Sequence, residues 1–143
     1  MLIVEKATAQ DLESMSVLDA LVFGPPPRPN ALRHAIDDGT CWVAKEADRI
    51  VGCALFDHFL HGHGFLRVIA VHPDYRRRGV ATALVNQLEA VCPTDRLFTA
   101  TDLSNLAMQR LCKALGFVRC GQIEELDEGH TELIYVKRLE GTR

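Results

Sequence analysis

The residues with the clearest chemical potential are three adjacent arginines and a glycine: Arg76, Arg77, Arg78 and Gly79. They lie where an apolar run ends and a helical pattern begins. Guanidinium groups bind phosphate oxygens in pairs, and a glycine lets the backbone approach a ligand without a Cβ in the way. The first turn of a helix adds unpaired N–H groups and the positive end of its dipole. This combination indicates a site for an anion such as a pyrophosphate.

The spacing separates this site from other phosphate-binding motifs. It matches neither G-x-x-x-x-G-K-[ST] nor G-x-G-x-x-G, so a P-loop NTPase and a nicotinamide dehydrogenase are disfavoured. The order here is R-x-x-G-x-A, from Arg76 through Gly79 to Ala81. The alternative is a merely basic start of a helix. Cations at that end oppose the helix dipole, and a bound anion removes the conflict.

The spacing of apolar residues predicts the strands and helices on either side of this site. Alternating or continuous apolar runs predict strands, and apolar residues at a spacing of three to four predict helices. The predicted order is β-α-α-β-β-β-α-β-α-β-β, a mixed α/β fold in one domain over residues 1–143. We predict strands at 2–5, 41–45, 50–60, 65–71, 96–101, 117–123 and 131–139, and helices near 12–22, 29–39, 79–91 and 105–115.

Two blocks of sequence together resemble the GNAT superfamily of N-acetyltransferases. The R-x-x-G-x-A stretch resembles the family's coenzyme A loop, which lies between its fourth strand and third helix. The block from Asn105 to Phe117 is similar to the family's later helix, with Leu111, Leu115 and Gly116 also in register. The resemblance spans nearly the whole chain and is weak before Cys41. It implies a twisted, mostly antiparallel sheet of roughly seven strands with roughly four flanking helices.

The resemblance also implies acetyl-CoA as the co-substrate and a role for each matching residue. Asn105 would contact the pantetheine arm, Arg76 would attract the phosphates, and the N–H of Val71 would stabilise the oxyanion. The arm would pair with the fourth strand like an added strand, through the backbone of Ile69, Ala70 and Val71. The pyrophosphate would be held by the backbone N–H groups of Arg77, Arg78, Gly79, Val80, Ala81 and Thr82.

The implied reaction is direct acetyl transfer to an amine, which must first lose a proton. Neutralising an alkyl ammonium at pH 7 costs about 4–5 kcal/mol. Several relatives carry a glutamate base on the fourth strand, but residues 65–71 contain no carboxylate. The base stays open among His72, Asp102 and Glu125. Each also has a structural interpretation: His72 as a solvated loop residue, Asp102 as a helix cap and Glu125 as a solvated turn residue.

A second departure concerns the general acid. Many relatives have a Tyr where this chain has Cys112. The coenzyme A thiol has a pKa near that of cysteine, about 8.5, so its thiolate leaves with little help. We expect that no protein acid is essential, or that a water substitutes for it, and that Cys112 packs in the core. Tyr135 has two interpretations, the acceptor pocket or the core. These departures keep open a catalytically silent acyl-CoA sensor or docking domain.

The composition of the whole chain limits which classes of partner and compartment we expect. The 143 residues carry a net charge of −3 and give a pI near 6.0, which disfavours nucleic acid. No apolar run is long enough to span a bilayer, and we recognise no signal peptide. An odd number of cysteines, five, without a C-x-x-C pair favours a reducing cytoplasm. We expect an amine acceptor, either a small molecule or a peptide, and the last-strand edge leaves a homodimer open.

Two further sequence patterns give weaker evidence for a functional site. His58, His61 and His63 surround a glycine turn in a spacing that zinc can use, but no fourth ligand is evident, so no metal is expected. The proline-rich stretch at 24–29 indicates a loop between the first two helices. In the resembling family this loop shapes the acceptor pocket.

Overall fold

A computed structural model gives the architecture, and it describes residues 1–25 and 29–140. These residues form seven strands and four helices. The strands are β1 (Leu2–Lys6), β2 (Cys41–Glu46), β3 (Arg49–Leu60), β4 (His63–Val71), β5 (Arg96–Asp102), β6 (Val118–Asp127) and β7 (His130–Arg138). The helices are α1 (Leu12–Phe23), α2 (Pro29–Asp37), α3 (Val80–Val91) and α4 (Leu106–Ala114).

The strands form one sheet in the order β1-β2-β3-β4-β5-β7-β6. The β4–β5 pair is parallel, whereas β1–β2, β2–β3, β5–β7 and β6–β7 are antiparallel. The predicted mixed α/β architecture, with a mostly antiparallel seven-stranded sheet and four helices, is therefore confirmed. The parallel ladder is short, running from Gly64↔Leu97 to Leu66↔Thr99. The Thr99 hydroxyl closes it by donating to the Leu66 carbonyl at 2.8 Å.

The residues cluster in two compact units. The first contains Met1–Phe56 and Val68–Ala90, and the second contains Asp57–Arg67 and the chain from Val91 onward. Strands β3 and β4 contribute residues to both. The predicted anion site lies wholly in the first unit.

A capping box at Thr8–Asp11 lies directly before helix α1. The Thr8 N–H donates to Asp11 Oδ2 at 2.8 Å, within one turn of 3-10 helix at Ala9–Asp11. Asp11 is only 7% exposed, and Lys45 Nζ lies 3.0 Å from its other oxygen. This fixed start directs Met15 and Leu18 into the core of the first unit, where they cluster with residues of α2, β2, β3 and β4.

The core of the second unit is built around β5 and β7. Their inward residues alternate, as the period of a strand requires: Leu97, Thr99 and Thr101 on β5, and Leu133 and Tyr135 on β7 are buried. Tyr135 is thus a core residue, the simpler of its two interpretations. Strand β6 pairs with β7 at the end of the sheet, and all ten of its residues are exposed.

The observed boundaries lie within two residues of the predicted ones except at the end of β6. Strand β6 extends to Asp127, so the predicted acidic turn at 124–129 reduces to residues 128–129. Two register shifts bend this strand, and Glu125 within one of them has φ +59°. Helix α4 is capped by Asn105 and not by Asp102. The proline-rich stretch at 24–29 is described only in part, because residues 26–28 lie outside the described chain. Among the described helices, none is both long and apolar enough to cross a bilayer.

Candidate functional site

The arginine loop connects β4 to α3 and has an unusual backbone. Arg77 has φ +64° and Gly79 has φ +80°, whereas Arg78 between them does not have a positive φ. Alternation of this kind turns successive N–H groups toward one point and makes a concavity that binds anions. The left-handed conformation costs a non-glycine residue about 1–2 kcal/mol. The loop therefore keeps a strained shape that suits an anionic ligand.

The start of α3 completes this concavity. The Gly79 carbonyl accepts from the Ala83 N–H at 2.9 Å, so Gly79 occupies the cap position of the helix. The N–H groups of Val80, Ala81 and Thr82 then belong to the first turn, which has no intrahelical partners for them. A Cβ built on Gly79 would meet nothing within 4 Å. The open space, the free donors and the helix dipole fit a diphosphate group.

The ring of Tyr75 contacts an arginine of this loop and two residues outside it. The guanidinium of Arg78 lies 5.0 Å from the centre of its ring, and that of Arg49 lies 5.6 Å from it. The His72 ring meets Tyr75 edge-on, with centroids 5.5 Å apart. Sequence reasoning missed both Tyr75 and Arg49. The signal for Tyr75 was present, because an aromatic ring directly before three arginines can stack with a guanidinium.

His72 is more constrained than a solvated loop residue. Its N–H donates to the Val51 carbonyl at 2.8 Å, and its Nδ1 accepts from the Asp74 N–H at 3.1 Å. An Nδ1 that accepts leaves the ring proton on Nε2. The lone pair that a base would need is therefore already used. This arrangement favours a structural role for His72 in fixing the strand exit.

The structure brings two groups of predicted site residues together in the first unit. The end of β4 supplies Ile69, Ala70 and Val71, of which Ala70 is buried and the others are half-buried. The second group is the arginine loop with the start of α3, from Arg76 to Thr82. Asn105, Cys112 and Glu125 lie in the second unit.

Asn105 has a local structural function. Its Oδ1 accepts from the Met108 N–H at 3.1 Å and caps α4. Its own N–H donates to the Asp102 carbonyl at 2.9 Å. The cap uses the acceptor of the side-chain amide and not its two N–H donors. Contact with a pantetheine arm through those donors stays a prediction.

Cys112 has the environment of a packing residue. It is 1% exposed, and burial raises the pKa of its thiol to about 11. The thiol therefore stays protonated at neutral pH. Its backbone carbonyl accepts from the Phe117 N–H at 2.9 Å and helps to end α4. These observations support the expectation that Cys112 packs in the core.

Asp102 ends β5 with both carboxylate oxygens engaged. Oδ1 accepts from the N–H and hydroxyl of Ser104 at 2.8 and 2.7 Å, and Oδ2 lies 3.0 Å from His130 Nδ1. The hydrogen bonds from Ser104 and then His130 lower the pKa of Asp102. Nearby, burial and then the charges of Asp102 and Asp127 raise the pKa of Glu132. Sequence reasoning missed His130, because its pairing with Asp102 depends on the β5–β7 register.

The histidines of the β3–β4 turn show no metal geometry. Within residues 1–25 and 29–140, no group of three or more His, Cys, Asp or Glu side chains is arranged to hold an ion. His63 instead lies 2.7 Å from the Thr94 hydroxyl through Nδ1, with its ring tilted against Phe98.

The first unit also contains an open pocket of about 520 Å³. Its walls come from one face of α1, including Val17 and Leu21, and from the turn between β2 and β3. His72 and Arg49 form the end of the pocket. The same two side chains contact Tyr75 under the arginine loop.

Comparison with known proteins identifies the class. The family model described as the acetyltransferase (GNAT) family matches residues 10–117, and the chain belongs to this family. A solved acetyltransferase of the GNAT family from Bacillus cereus is 38% identical, with a TM-score of 0.89 and 99% of each chain covered.

Two other similarities are more distant. N-alpha-acetyltransferase 30 of Xenopus laevis is 30% identical over 88 residues, which are 55% of this chain and 32% of the relative. The chain thus spans about a third of the length of that curated relative. Naa50 of Arabidopsis thaliana, solved with the bisubstrate analogue CoA-Ac-MVNAL, is 16% identical, with a TM-score of 0.74 and coverage of 96% and 99%. This likeness shows the fold.

Proposed function

We propose that this protein transfers an acetyl group from acetyl-CoA to a primary amine, by direct attack of the amine in a ternary complex. The observation that carries the proposal is the arginine loop. In a member of the acetyltransferase family, left-handed residues at Arg77 and Gly79 lead into the start of a helix, and the space beside Gly79 where a Cβ would lie is open. That arrangement suits the pyrophosphate of coenzyme A.

The backbone supplies the specific contacts in this proposal. The N–H groups from Arg77 to Thr82 hold the pyrophosphate, and each charge-assisted hydrogen bond contributes about 1.5–3 kcal/mol. The side chains of Arg76, Arg77 and Arg78 are exposed and add attraction over a longer range. The backbone of Ile69 to Val71 pairs with the pantetheine arm.

The chain's own groups then act on the thioester. The N–H of Val71 stabilises the negative charge that develops on the carbonyl oxygen. The thiolate of coenzyme A leaves without a protein acid, since Cys112 is buried and its pKa is raised to about 11. Glu125 is exposed in a bulge of β6 and remains a candidate for attracting or deprotonating the amine.

The acceptor in this proposal is an amine of a small molecule or a peptide. A peptide is supported by the Naa50 neighbour, whose bisubstrate analogue carries the residues MVNAL. The net charge of −3 favours a cationic acceptor over a nucleic acid or an anionic membrane. The five free cysteines support a reducing compartment, the cytoplasm. The exposed β6 edge offers a surface for a homodimer.

A second candidate function is an acyl-CoA sensor that binds the coenzyme without turnover. Two observations favour it. Residues 65–71 of the central strand include no carboxylate, and Cys112 at the usual position of the acid is buried. A sensor would need only the arginine loop and the end of β4.

One experiment separates the two functions. Purified protein is incubated with acetyl-CoA and a panel of amines, including polyamines, amino acids and peptides with free N-termini. Acetylated product is measured by mass spectrometry, and coenzyme A affinity by calorimetry. Product formation with at least one amine supports the transferase. Micromolar binding without product on any acceptor supports the sensor, and absence of binding contradicts both.

A further inference from the structure

The open pocket of the first unit has an apolar lining that the proposed acetyl transfer does not use. Its volume of about 520 Å³ lies in the range of small-molecule sites. Helix α1 forms one wall and leaves Val17 and Leu21 65% and 52% exposed. Leu18 and Ile50 continue the apolar surface inward, and both are buried. The pocket therefore offers a surface on which a ligand can bury an apolar side chain.

Charged groups of both signs line the same pocket. Arg49 begins β3, Asp48 belongs to the turn before it, and Glu13 lies in the first turn of α1. Across the residues that the structure describes, none of these three side chains forms an ion pair. The two carboxylates would repel a simple anion, and Arg49 would repel a simple amine. A zwitterion complements both signs of charge.

Arg49 and His72 present hydrogen-bond donors side by side in this lining. The Nδ1 of His72 accepts from the Asp74 N–H at 3.1 Å, so the ring proton is on Nε2. Nε2 lies 3.5 Å from Arg49 Nη2. A guanidinium nitrogen is only a donor, so neither of these two groups can accept from the other. A ligand carboxylate placed beside them accepts from both.

Arg49 also connects the pocket to the arginine loop. Its guanidinium lies 5.6 Å from the centre of the Tyr75 ring, and the guanidinium of Arg78 lies 5.0 Å from the same centre. A carboxylate that pairs with Arg49 neutralises a positive charge close to the loop that would hold the pyrophosphate. The two ligands therefore oppose each other. By linkage, each lowers the affinity for the other by the same factor.

We propose that this pocket binds a small apolar zwitterion, an amino acid or a dipeptide, and that its occupation weakens coenzyme A binding. The carboxylate of the ligand accepts from Arg49 and His72. The ammonium donates to Asp48 and Glu13, and the apolar side chain packs against α1. Binding of the zwitterion is independent of the proposed acetyl transfer. Only the coupling rests on the proposed coenzyme A site, so the two can fail separately.

The first test titrates leucine and leucyl-leucine into the full chain by calorimetry. Isocaproate and isoamylamine are the matched analogues, which lack the ammonium and the carboxylate of leucine. We expect at least one zwitterion to bind with a Kd below about 1 mM, and each analogue to bind at least about tenfold more weakly. The tighter zwitterion shows whether the ligand is an amino acid or a dipeptide. Absence of binding by both zwitterions at millimolar concentrations, or equally tight binding of an analogue, would overturn the site.

Variants locate the ligand in the pocket. Arg49→Gln should lower the affinity for the zwitterion at least about tenfold, because the carboxylate loses a charged partner. Asp48→Asn should also lower it, and asparagine tolerates the φ of +65° at this turn position. Arg33→Gln, on the exposed surface of α2 and outside the lining, is the charge-matched control. Equal affinities in Arg49→Gln and Arg33→Gln would show that the carboxylate binds elsewhere.

The coupling is measured by titrating coenzyme A at increasing concentrations of the zwitterion. The Kd of coenzyme A should rise at least about fivefold and then level off as the pocket fills. A rise without a plateau would mean that both ligands compete for one site, and an unchanged Kd would overturn the coupling. A protein that binds the zwitterion and no coenzyme A would overturn the proposed coenzyme A site and support the pocket.

Discussion

Val80, the first residue of α3, packs against the bare Cα of Gly52 in β3. A Cβ built on Gly52 would lie 2.6 Å from Val80 Cγ1, 3.1 Å from the Ala70 carbonyl oxygen and 3.2 Å from Leu84 Cδ1. Distances this short force a neighbour to move. Since the N–H of Val80 belongs to the proposed anion site, a single glycine in the sheet sets the position of the helix start that binds the coenzyme.

Gly52→Ala should therefore damage both stability and binding. We expect the free energy of unfolding to fall by about 1–3 kcal/mol, because the added methyl group overpacks the α3–sheet contact. Coenzyme A affinity should fall at least about tenfold, equivalent to 1.4 kcal/mol. Denaturation curves and calorimetry measure the two effects. Gly121→Ala is the matched control, since a Cβ there meets nothing within 4 Å. Wild-type affinity in Gly52→Ala would contradict this role.

Gly79 is predicted to matter for the ligand more than for the fold. Gly79→Ala and Gly62→Ala form a matched pair, with φ +80° and +81° and nothing within 4 Å of either built Cβ. Both variants should lose about 1–2 kcal/mol of stability from the left-handed backbone. Only Gly79→Ala should lose coenzyme A affinity, because its methyl group enters the space of the pyrophosphate. Equal affinities in the two variants would mean that the pyrophosphate binds elsewhere.

Cys112→Ala should leave turnover nearly intact. A general acid contributes about 10²–10⁴-fold to a rate, so a change in kcat below about threefold excludes that role. Stability should fall by about 1–2 kcal/mol from the cavity, as it should in Cys92→Ala, a second buried cysteine. Rates are measured under saturating acetyl-CoA. A loss of several orders of magnitude, in a variant that still folds, would restore Cys112 as an acid.

The Asp11 capping box predicts a dependence of stability on pH. Burial raises the pKa of Asp11, but hydrogen bonds from Thr8 and Lys45 outweigh it and lower the pKa overall. A lowered folded-state pKa gives stability that is present above the unfolded value, about 3.9, and lost as pH falls through the folded value.

Asp11→Asn should therefore cost about 1–3 kcal/mol at pH 7, and its difference from wild type should shrink toward pH 3. Denaturant titrations at several pH values measure this. The exposed Asp38→Asn is the control and should change little at any pH. A difference for Asp11→Asn that stays constant down to pH 3 would contradict the charge-dependent role of the cap.

Much of the fold was predictable because its signals are local. The capping box at Thr8–Asp11 and the glycine after α4 lie within a few residues of the helix ends they determine. The predicted end of β6 was wrong because it depends on pairing with another strand, which is not a local signal. Glu124 and Asp127 look like turn residues, but their pairing with β7 extends the strand through a bulge. This extension of β6 can be recognised only from its pairing with β7.

The candidate site also has a part that local sequence signals predict and a part that depends on long-range contacts. Arg76 to Thr82 form one continuous segment, so residue types and spacing were enough to indicate an anion site. The contacts that shape it are distant in sequence: Arg49 stacks on Tyr75, and Gly52 accommodates Val80. The Asp102–His130 pair is also long-range, joining two strands 28 residues apart. Spacing alone does not contain that information.

The distribution of cysteines has a practical consequence for enzymology. Cys41, Cys53, Cys92 and Cys112 are buried, whereas Cys120 on β6 is exposed. A thiol reagent added to the folded protein should therefore modify Cys120 first, with a background of one equivalent per chain in any assay that detects released coenzyme A. Cys120→Ser removes that background. In the unmodified chain, the same thiol is a ready single attachment point for a fluorophore on the outermost strand.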